Sequence, residues 1–233
     1  MQDTAKGYTL LEMLIGITLI GLLMTALVVG IQVGNKAWQQ GEARLRQVHV
    51  EEERTQFMVQ QISSLVPYKV PSSNPDIPGD ILILEAGATR LRFLSTYGAR
   101  YGSRSGLLLD EYAIVSTPGA DLTLALRETP VRDDAALVPL LIEGLSSDPD
   151  TGKSELVYRP FFLRDSDLRL MTGLQAARFE YFGAPEAGEE AAWASHWEAT
   201  PEVPYPEAVR FLWRHGSQQD QLVIPIRARV IPK

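Results

Sequence analysis

The feature that most constrains this chain is an uncharged, largely apolar run close to its N-terminus. No charged residue occurs from Met13 to Asn35, a run of 23 residues. A helix of that length rises about 1.5 Å per residue and can cross the roughly 30 Å hydrocarbon core of a bilayer. Glu12 stands directly before the run, and carboxylates in apolar helices are costly and usually functional. One transmembrane helix is therefore expected at about residues 13–35.

A fixed order of residue types precedes this run. A short polar leader ends in Lys6-Gly7, the aromatic Tyr8 follows, and Glu12 stands four positions later. This order resembles the N-terminal signal of type IV prepilins. The resemblance implies that a prepilin peptidase cuts after Gly7, removes residues 1–7 as a leader and methylates the new amino terminus at Tyr8. Phe is the family's usual residue after the cut, and Tyr8 keeps the aromatic ring. Glu12 corresponds to the glutamate at the fifth mature position.

An ordinary secretory signal is the alternative explanation of an apolar N-terminal run. Its apolar core would span about 7–15 residues and end at a small-x-small site. This run is longer, and no such site follows it directly. Charge alone weakly favours a cytoplasmic C-terminal part, since Lys36, Arg44 and Arg46 follow the run and only Lys6 precedes it. Long domains translocate largely regardless of nearby charge, and the prepilin resemblance implies a single-pass protein of the cell inner membrane with its C-terminal domain in the periplasm.

The helical pattern continues beyond the apolar run. No proline occurs before Pro67, which lacks an amide hydrogen and should end the helix. Apolar residues recur among charged ones at helical spacing, namely Trp38, Leu45, Val48, Val59, Ile62 and Val66. One helix is therefore expected over residues 8–66, with a membrane half and an amphipathic half. The proline-rich residues 67–80 are expected to be a linker.

After the linker the pattern changes to short, apolar or alternating runs. Leu122, Leu124 and Leu126 alternate with other residues, as expected for a half-buried strand. Turn signals separate the runs. Strands are predicted at residues 80–85, 89–96, 107–116, 121–128, 137–145, 155–163, 168–182, 208–214 and 221–231. The fold class is therefore α+β, in which the long N-terminal helix packs on an antiparallel β-sheet domain over residues 81–233. With the prepilin resemblance, this arrangement is expected to be pilin-like.

A polar segment, residues 183–206, interrupts the strands and carries Trp193 and Trp197. An aromatic strand precedes it, and Pro206-Glu207-Ala208-Val209-Arg210 opens the next strand. This order resembles the C-terminal half of the J-type minor pseudopilins of the type II secretion system. A surface loop whose tryptophans cover one edge of the sheet is preferred over a partner-binding hot spot, although exposed tryptophan would favour the latter.

The composition argues against nucleic acid as a partner. The formal net charge is −7 and the isoelectric point is about 5.1, whereas phosphate binding needs a clustered basic face. The roughly 170 residues after the first helix and linker are enough for a hydrophobic core without disulfides or metals. The absence of cysteine does not decide between compartments.

The sequence contains no recognisable catalytic constellation. Hydrolase, phosphate-loop, zinc-protease and dinucleotide fingerprints are all missing. Residues 148–155 are interpreted as a hairpin turn rather than a calcium loop, because the required order of acidic residues is absent. The adjacent acids Asp110-Glu111 and Asp133-Asp134 are interpreted as turn or surface residues. The histidines His49, His196 and His215 have no ligand-like spacing. The protein is therefore expected not to be an enzyme, with no catalytic residue, cofactor or metal.

Glu12 is the one residue for which a functional interpretation is preferred. Cleavage after Gly7 would create an amine at Tyr8, which a carboxylate four positions away can meet in apolar surroundings. Such pairing, within one chain or between neighbours, would set axial register in a helix bundle. An unpaired charge at the centre of a membrane helix costs about 2.5–3.5 kcal/mol on insertion scales. Glu12 also argues against the K-type tip pseudopilin, which generally lacks this glutamate.

The resemblances imply a structural minor pseudopilin that assembles at the pseudopilus tip. The implied partners are the I-, K- and H-type minor pseudopilins, the major pseudopilin, the prepilin peptidase, the inner-membrane secretion platform and the lipid bilayer. A minor pilin of a type IV pilus or DNA-uptake system is an alternative of the same class. A membrane-anchored periplasmic enzyme or binding protein is the alternative from a different class. It would require a pocket with converging polar groups and no dependence on Gly7 or Glu12.

Overall fold

The fold is described from a computed structural model. The structure describes residues 9–71, 80–100, 106–117, 119, 121–147, 154–184, 189–199 and 203–227, with the backbone alone at residues 40, 43–50, 134, 147, 154 and 155. The chain divides into two compact units, Met1–Glu53 and Arg54–Lys233. We describe each unit by itself.

One long helix, α1, spans Leu10–Ser63 and contributes to both units. The sequence predicted this helix over residues 8–66. In the first unit its described side chains are almost all exposed, and Trp38 has 76% of its surface accessible. Trp38 is therefore not part of a buried stripe. Its position, just after the apolar run, is one at which tryptophan is typical of a membrane–water interface.

In the second unit, the last residues of α1 form the amphipathic part of the helix. Met58, Gln61 and Ile62 are fully buried, and Val59 packs against the same core. The three buried positions are three or four residues apart and therefore lie on one helical face. The predicted buried stripe is thus present at Val59 and Ile62, within the second unit.

Two larger antiparallel sheets form the frame of the second unit. The first sheet has the strand order β3-β4-β5-β6-β9, and the second has the order β11-β10-β12-β13. Two strand pairs, β1-β2 and β7-β8, complete the described strands. The strands are β1 Lys69–Pro71, β2 Asp80–Leu82, β3 Leu84–Ala86, β4 Arg90–Ser95, β5 Leu108–Ser116, β6 Leu122–Pro130, β7 Ile142–Ser147, β8 Ser154–Tyr158, β9 Leu168–Leu174, β10 Ala176–Gly183, β11 Ala192–Ala194, β12 Ala208–His215 and β13 Gln218–Pro225. A short helix, α2, spans Leu137–Leu141.

The five-stranded sheet has a hydrophobic core on each face. On one face Phe93 and Tyr112 pack with residues of the four-stranded sheet, such as Phe179, and with the end of α1. On the other face Leu94 and Leu109 pack against α2. The prediction of a half-buried strand at residues 121–128 is corrected, because Thr123 and Ala125, which alternate with Leu124 and Leu126, are also buried.

Five predicted elements differ from the structure. The run 80–85 is divided between β2 and β3, which lie in different sheets, and the strand predicted at 155–163 ends at Tyr158. The run 137–145 is α2 followed by β7, since Pro139 lies in the first turn of α2, where a missing amide hydrogen costs nothing. The run 168–182 is divided between β9 and β10, which lie in different sheets and are separated at Gln175. The predicted linker contributes β1, whose Val70 pairs with Ile81 of β2. The main result, an α+β fold with a long apolar helix and antiparallel sheets, is confirmed.

Candidate assembly segment

The start of α1 is fixed by a cap that the sequence order Thr9-x-x-Glu12 supplies. The Thr9 carbonyl accepts hydrogen bonds from the amides of Glu12 (3.1 Å) and Met13 (3.2 Å). The Thr9 hydroxyl oxygen also accepts one from the Glu12 amide at 3.3 Å. This is the geometry of a helix N-cap, and it places the Glu12 carboxylate in the first turn. A negative charge there stabilises the helix through its interaction with the positive end of the helix dipole.

Beyond Glu12 the helix presents apolar side chains in every direction. Among the described residues, Leu10–Gln39 is the one helical stretch long and apolar enough to cross a membrane. The hydroxyl groups of Thr18 and Thr25 are satisfied within the helix, because they donate to the carbonyls of Ile15 and Gly21 at 2.8 Å each. A bilayer offers no water to unpaired polar groups, so this internal pairing suits a membrane helix.

The predicted processing and assembly residues divide into two groups. Gly7 and Tyr8 lie outside the described residues. Glu12 is described, exposed, and the one Asp, Glu, Lys or Arg between Lys6 and Lys36 in the sequence. The structure therefore gives Glu12 a local role at the helix start, while its pairing with an amine at Tyr8 remains a prediction.

Comparison with known proteins agrees with this N-terminal geometry. Residues 3–28 match the family described as the prokaryotic N-terminal methylation motif. No curated protein matches the chain. The motif, the apolar helix and the α+β fold together define a type IV pilin- or pseudopilin-like protein. Proteins of this class are typically structural rather than enzymatic, are processed by a prepilin peptidase and assemble with pilus partners. In the part of the chain that the structure describes, one N-terminal helix has the length and composition of the anchor of an inner-membrane pilin.

The residues that sequence reasoning considered for catalysis or metal binding do not form a site in the described part of the chain. No three His, Cys, Asp or Glu side chains among the described residues come together as a possible metal site. His196 and His215 are exposed. Most of the predicted hairpin at residues 148–155 lies outside the described residues. Asp133 accepts a hydrogen bond from the Ala135 amide at 3.0 Å, as a turn residue does.

The interpretation of Asp110 and Glu111 as turn or surface residues is wrong. Both are buried residues within β5, and they have separate environments. Successive residues of a strand point to opposite faces, so the two carboxyl groups cannot act as an acid–base pair. Asp110 Oδ2 lies 2.5 Å from the Ser95 hydroxyl, and its Oδ1 is buried without a hydrogen-bond donor among the described residues. Burial raises the pKa of Asp110 to about 8, against a lowering by the Ser95 hydrogen bond, and the nearby Glu128 charge raises it further.

Gln61 connects the end of α1 to this polar cluster. Its amide nitrogen donates to Glu128 Oε1 at 2.8 Å and to the Tyr97 carbonyl at 3.0 Å. Its amide oxygen accepts a hydrogen bond from the Tyr112 hydroxyl at 2.5 Å. Both ends of the Gln61 side-chain amide are therefore hydrogen-bonded, although the residue lies in the buried helical stripe. Sequence periodicity could not predict these bonds.

On the opposite face, charged residues form a ladder across four strands. Glu85, Arg92, Glu111 and Arg127 occupy successive paired positions of β3, β4, β5 and β6. Arg92 lies 2.6 Å from Glu85 and 2.8 Å from Glu111, the second as a charge contact without an aligned hydrogen bond. Arg127 continues the ladder to Asp167 at 2.8 Å. Burial raises the pKa of Glu85, against the lowering effect of Arg92.

The two tryptophans of the 183–206 segment pack against the sheets of their own chain. Trp197 is 7% exposed and belongs to the main core, and its amide donates to the Ala86 carbonyl at 2.9 Å. Trp193 lies on β11 and packs against Phe182, with the Arg210 guanidinium 4.1 Å from its ring centroid. The preferred interpretation, tryptophans that cover a sheet edge, agrees with these contacts.

Proposed function

We propose that this protein is a minor pseudopilin of the type II secretion system, similar to the J type. It would be made as a single-pass inner-membrane precursor, cut between Gly7 and Tyr8, and methylated on Tyr8. Its β-rich unit would lie in the periplasm. The observation that carries the proposal is the methylation motif at residues 3–28, joined directly to an apolar helix with a capped start at Thr9.

The partners follow from this role. The mature chain would join I-, K- and H-type minor pseudopilins and the major pseudopilin on the inner-membrane secretion platform, and would help to prime the pseudopilus that supports secretion across the outer membrane. Glu12 would pair with the amine of Tyr8 in its own chain or in a neighbour. An apolar bundle makes this pairing favourable, because a charge without a partner retains part of its desolvation cost.

The order of the second sheet supports the J type among the possible assemblies. The aromatic strand β10 leads to β11, which carries Trp193, and Pro206 precedes β12. A proline at the beginning of a strand avoids the loss of a ladder hydrogen bond. A minor pilin of a type IV pilus or a DNA-uptake system would share the processing motif and remains the second candidate.

The processing step is tested by replacing Gly7 with leucine in the full chain, expressed in the source cells. Mass spectrometry of the intact protein should find the wild type without residues 1–7 and with one added methyl group, and the variant unprocessed. Gly41→Leu is the matched control, because a side chain at Gly41 meets no atom within 4 Å. Unchanged processing of the Gly7→Leu variant would contradict the prepilin function.

System membership is tested by co-purification. The soluble part from about Gln39 onward is expressed with candidate I-, K- and H-type minor pseudopilins, and separately with minor pilins of a type IV system. Retention by I- or K-type chains supports the J-like role. Retention by the type IV minor pilins alone would instead favour the second candidate. Neighbouring open reading frames that encode similar leaders beside a secretion ATPase would support the secretion-system role.

A further inference from the structure

Residues 159–167, which connect β8 to β9, form a loop that is unusually well held. We call this stretch the 159–167 segment. Arg92 donates to the Arg159 carbonyl at 2.7 Å, and Arg127 donates to the Phe162 carbonyl at 2.6 Å. The Arg100 guanidinium donates to a further carbonyl near the end of the segment. Side chains from three other parts of the chain thus fix the backbone of a segment without regular secondary structure.

The end of the segment is fixed by a buried carboxylate. Asp167 forms two hydrogen bonds with Arg127, at 3.0 and 2.8 Å, and accepts another from the Arg164 amide at 2.8 Å. Burial alone would raise the pKa of Asp167, but these hydrogen bonds and the neighbouring guanidinium groups keep it below its ordinary value. The segment is therefore organised before it meets any partner.

This fixed backbone exposes a phenylalanine. Phe161 lies beneath Arg127, whose guanidinium carbon is 4.3 Å from the ring centroid. Phe162, the next residue, has 71% of its surface accessible. It is the most exposed of the described large hydrophobic residues in the second unit, where Val223 follows at 48%. Burial of this exposed aromatic surface against another molecule would be favourable.

The elements joined to the segment add apolar surface. The Arg159 amide donates to the Leu141 carbonyl at 2.7 Å, and its guanidinium donates to the Pro139 carbonyl at 2.8 Å. Leu140, between these two carbonyls, is 47% exposed, and Val157, at the end of β8, is 37% exposed. The Phe162 side chain is therefore the most exposed member of a set of apolar side chains on adjoining elements.

The charge of this region is opposite to that of the whole chain. The segment, the arginines that bind it and the carboxylates bound to those arginines include six guanidinium groups and five carboxylates, in a chain of net charge −7. The guanidinium groups belong to Arg90, Arg92, Arg100, Arg127, Arg159 and Arg164, and the carboxylates to Glu85, Glu111, Glu128, Asp165 and Asp167. Three of the five carboxylates are already paired with arginine side chains, and Glu128 accepts hydrogen bonds from the Ala99 and Arg100 amides. Arg100, Arg159 and Arg164 are exposed.

We infer that the 159–167 segment, centred on Phe162, is a docking surface for another protein subunit, whose matching surface has an apolar centre and an acidic rim. This inference rests on the proposed assembly role, which supplies the subunit. Exposed aromatic and arginine side chains in a fixed frame have the composition of a protein interface hot spot. Membrane surface binding instead favours an amphipathic helix or a flexible basic cluster, and this rigid loop is neither.

The test uses the full chain in its own cells. The photo-crosslinking residue p-benzoylphenylalanine is incorporated at position 162 and, as the control, at position 223, which is also exposed but lies on β13. Mass spectrometry identifies the adducts and the crosslinked peptide. A discrete protein adduct at 162 that is absent at 223, with Asp or Glu in the crosslinked peptide, is expected. No specific adduct at 162, or an adduct with lipid, would overturn the inference.

Affinity measurements with the crosslinked subunit test the chemistry. Both full chains are purified in detergent and titrated against each other. Phe162→Ala should weaken binding by about 30-fold or more, the effect of a hot-spot residue. Arg164→Glu should weaken binding, whereas Asp165→Arg should leave it unchanged or strengthen it. Binding that is indifferent to Phe162→Ala, or stronger with Arg164→Glu, would contradict the docking surface.

The same cells separate this inference from the proposed function. An N-terminus that is not cut at Gly7 would refute the prepilin role whatever the adduct at 162 is. A correctly processed and methylated chain that gives no specific adduct at 162 would leave the prepilin role intact and refute the docking surface. Both readouts come from one mass-spectrometric sample.

Discussion

Replacing Asp110 with asparagine should remove a pH dependence from the stability of the second unit. Asp110 is fully buried, and its Oδ2 is 2.5 Å from the Ser95 hydroxyl oxygen. That hydroxyl also contacts the Tyr97 carbonyl at 3.0 Å. Serine has one hydroxyl hydrogen. When Ser95 donates it to the Tyr97 carbonyl, the contact between Ser95 and Asp110 needs a hydrogen from the Asp110 carboxyl group. The carboxyl group is therefore neutral in the folded protein, in agreement with its raised pKa.

The size of the effect follows from the pKa. Burial raises the pKa of Asp110 from 3.8 to about 8 on folding. Between these values the folded chain holds a proton that the unfolded chain lacks, so the free energy of unfolding falls as the pH rises. The stability is fully present below the unfolded pKa and is lost as the pH approaches the folded pKa. The slope is about 1.4 kcal/mol per pH unit, or about 3 kcal/mol between about pH 5.5 and about pH 7.5.

The measurement is guanidinium unfolding of the full chain in detergent at both pH values, followed by intrinsic tryptophan fluorescence, to which the buried Trp197 contributes. Asp110→Asn has no ionisable group here in either state, so its loss of stability between the two pH values should be smaller than that of the wild type by about 3 kcal/mol. Asp165→Asn is the matched control on an exposed carboxyl group and should follow the wild type. An equal loss in the wild type and Asp110→Asn would refute the neutral carboxyl group.

Three further predictions follow from the contacts. Arg92→Met leaves the buried Glu111 and the half-buried Glu85 without their shared partner and should cost about 3–5 kcal/mol of unfolding free energy. Arg178→Met, at an exposed arginine, should cost less than about 1 kcal/mol in the same denaturant titration. Gly183→Ala places a Cβ 2.7 Å from the Trp197 ring, at a φ of +159°. It should reduce the free energy of unfolding by about 1–3 kcal/mol, which is measured as a lower melting temperature. Glu12→Gln should leave processing intact by mass spectrometry and reduce recovery of assembled pseudopilus fibres; equal recovery would contradict the assembly role of that carboxylate.

The parts of the fold that were predictable are those that depend on local pattern. The uncharged run and the absence of proline before Pro67 predicted α1 to within three residues at each end. Alternation and turn signals located most strands of the two larger sheets. Errors occurred where local and global preferences differ. Pro139 was compatible with a strand end but lies in the first turn of α2, and the single apolar run 168–182 changes sheet at Gln175.

The polar clusters could not be predicted, because they depend on strand register and on distant contacts. Asp110 and Glu111 are neighbours in sequence, yet one contributes to a neutral cluster with Ser95 and the other to an ion ladder with Arg92. The partner of Gln61 on β6 is 67 residues away. A one-residue change in register would exchange the faces of every strand residue. The sequence therefore identifies the charged residues but not the pairs they form.

The carboxylates of this chain also clarify the role proposed for Glu12. Glu111 is buried against two arginines, and burial raises the pKa of Asp110, which favours its neutral form. These are the two ways in which an acidic group can leave water at moderate cost. Glu12 lies at the start of a helix that is apolar for the next 23 residues, and in a bilayer or a helix bundle it faces the same choice. If Glu12 is protonated, glutamine should replace it without loss, whereas ion pairing requires the charge and a cation. The proposed cleavage after Gly7 would supply a cation, the amine at Tyr8. A requirement for the charge at position 12 in assembly, together with cleavage at Gly7, would therefore distinguish pairing from protonation.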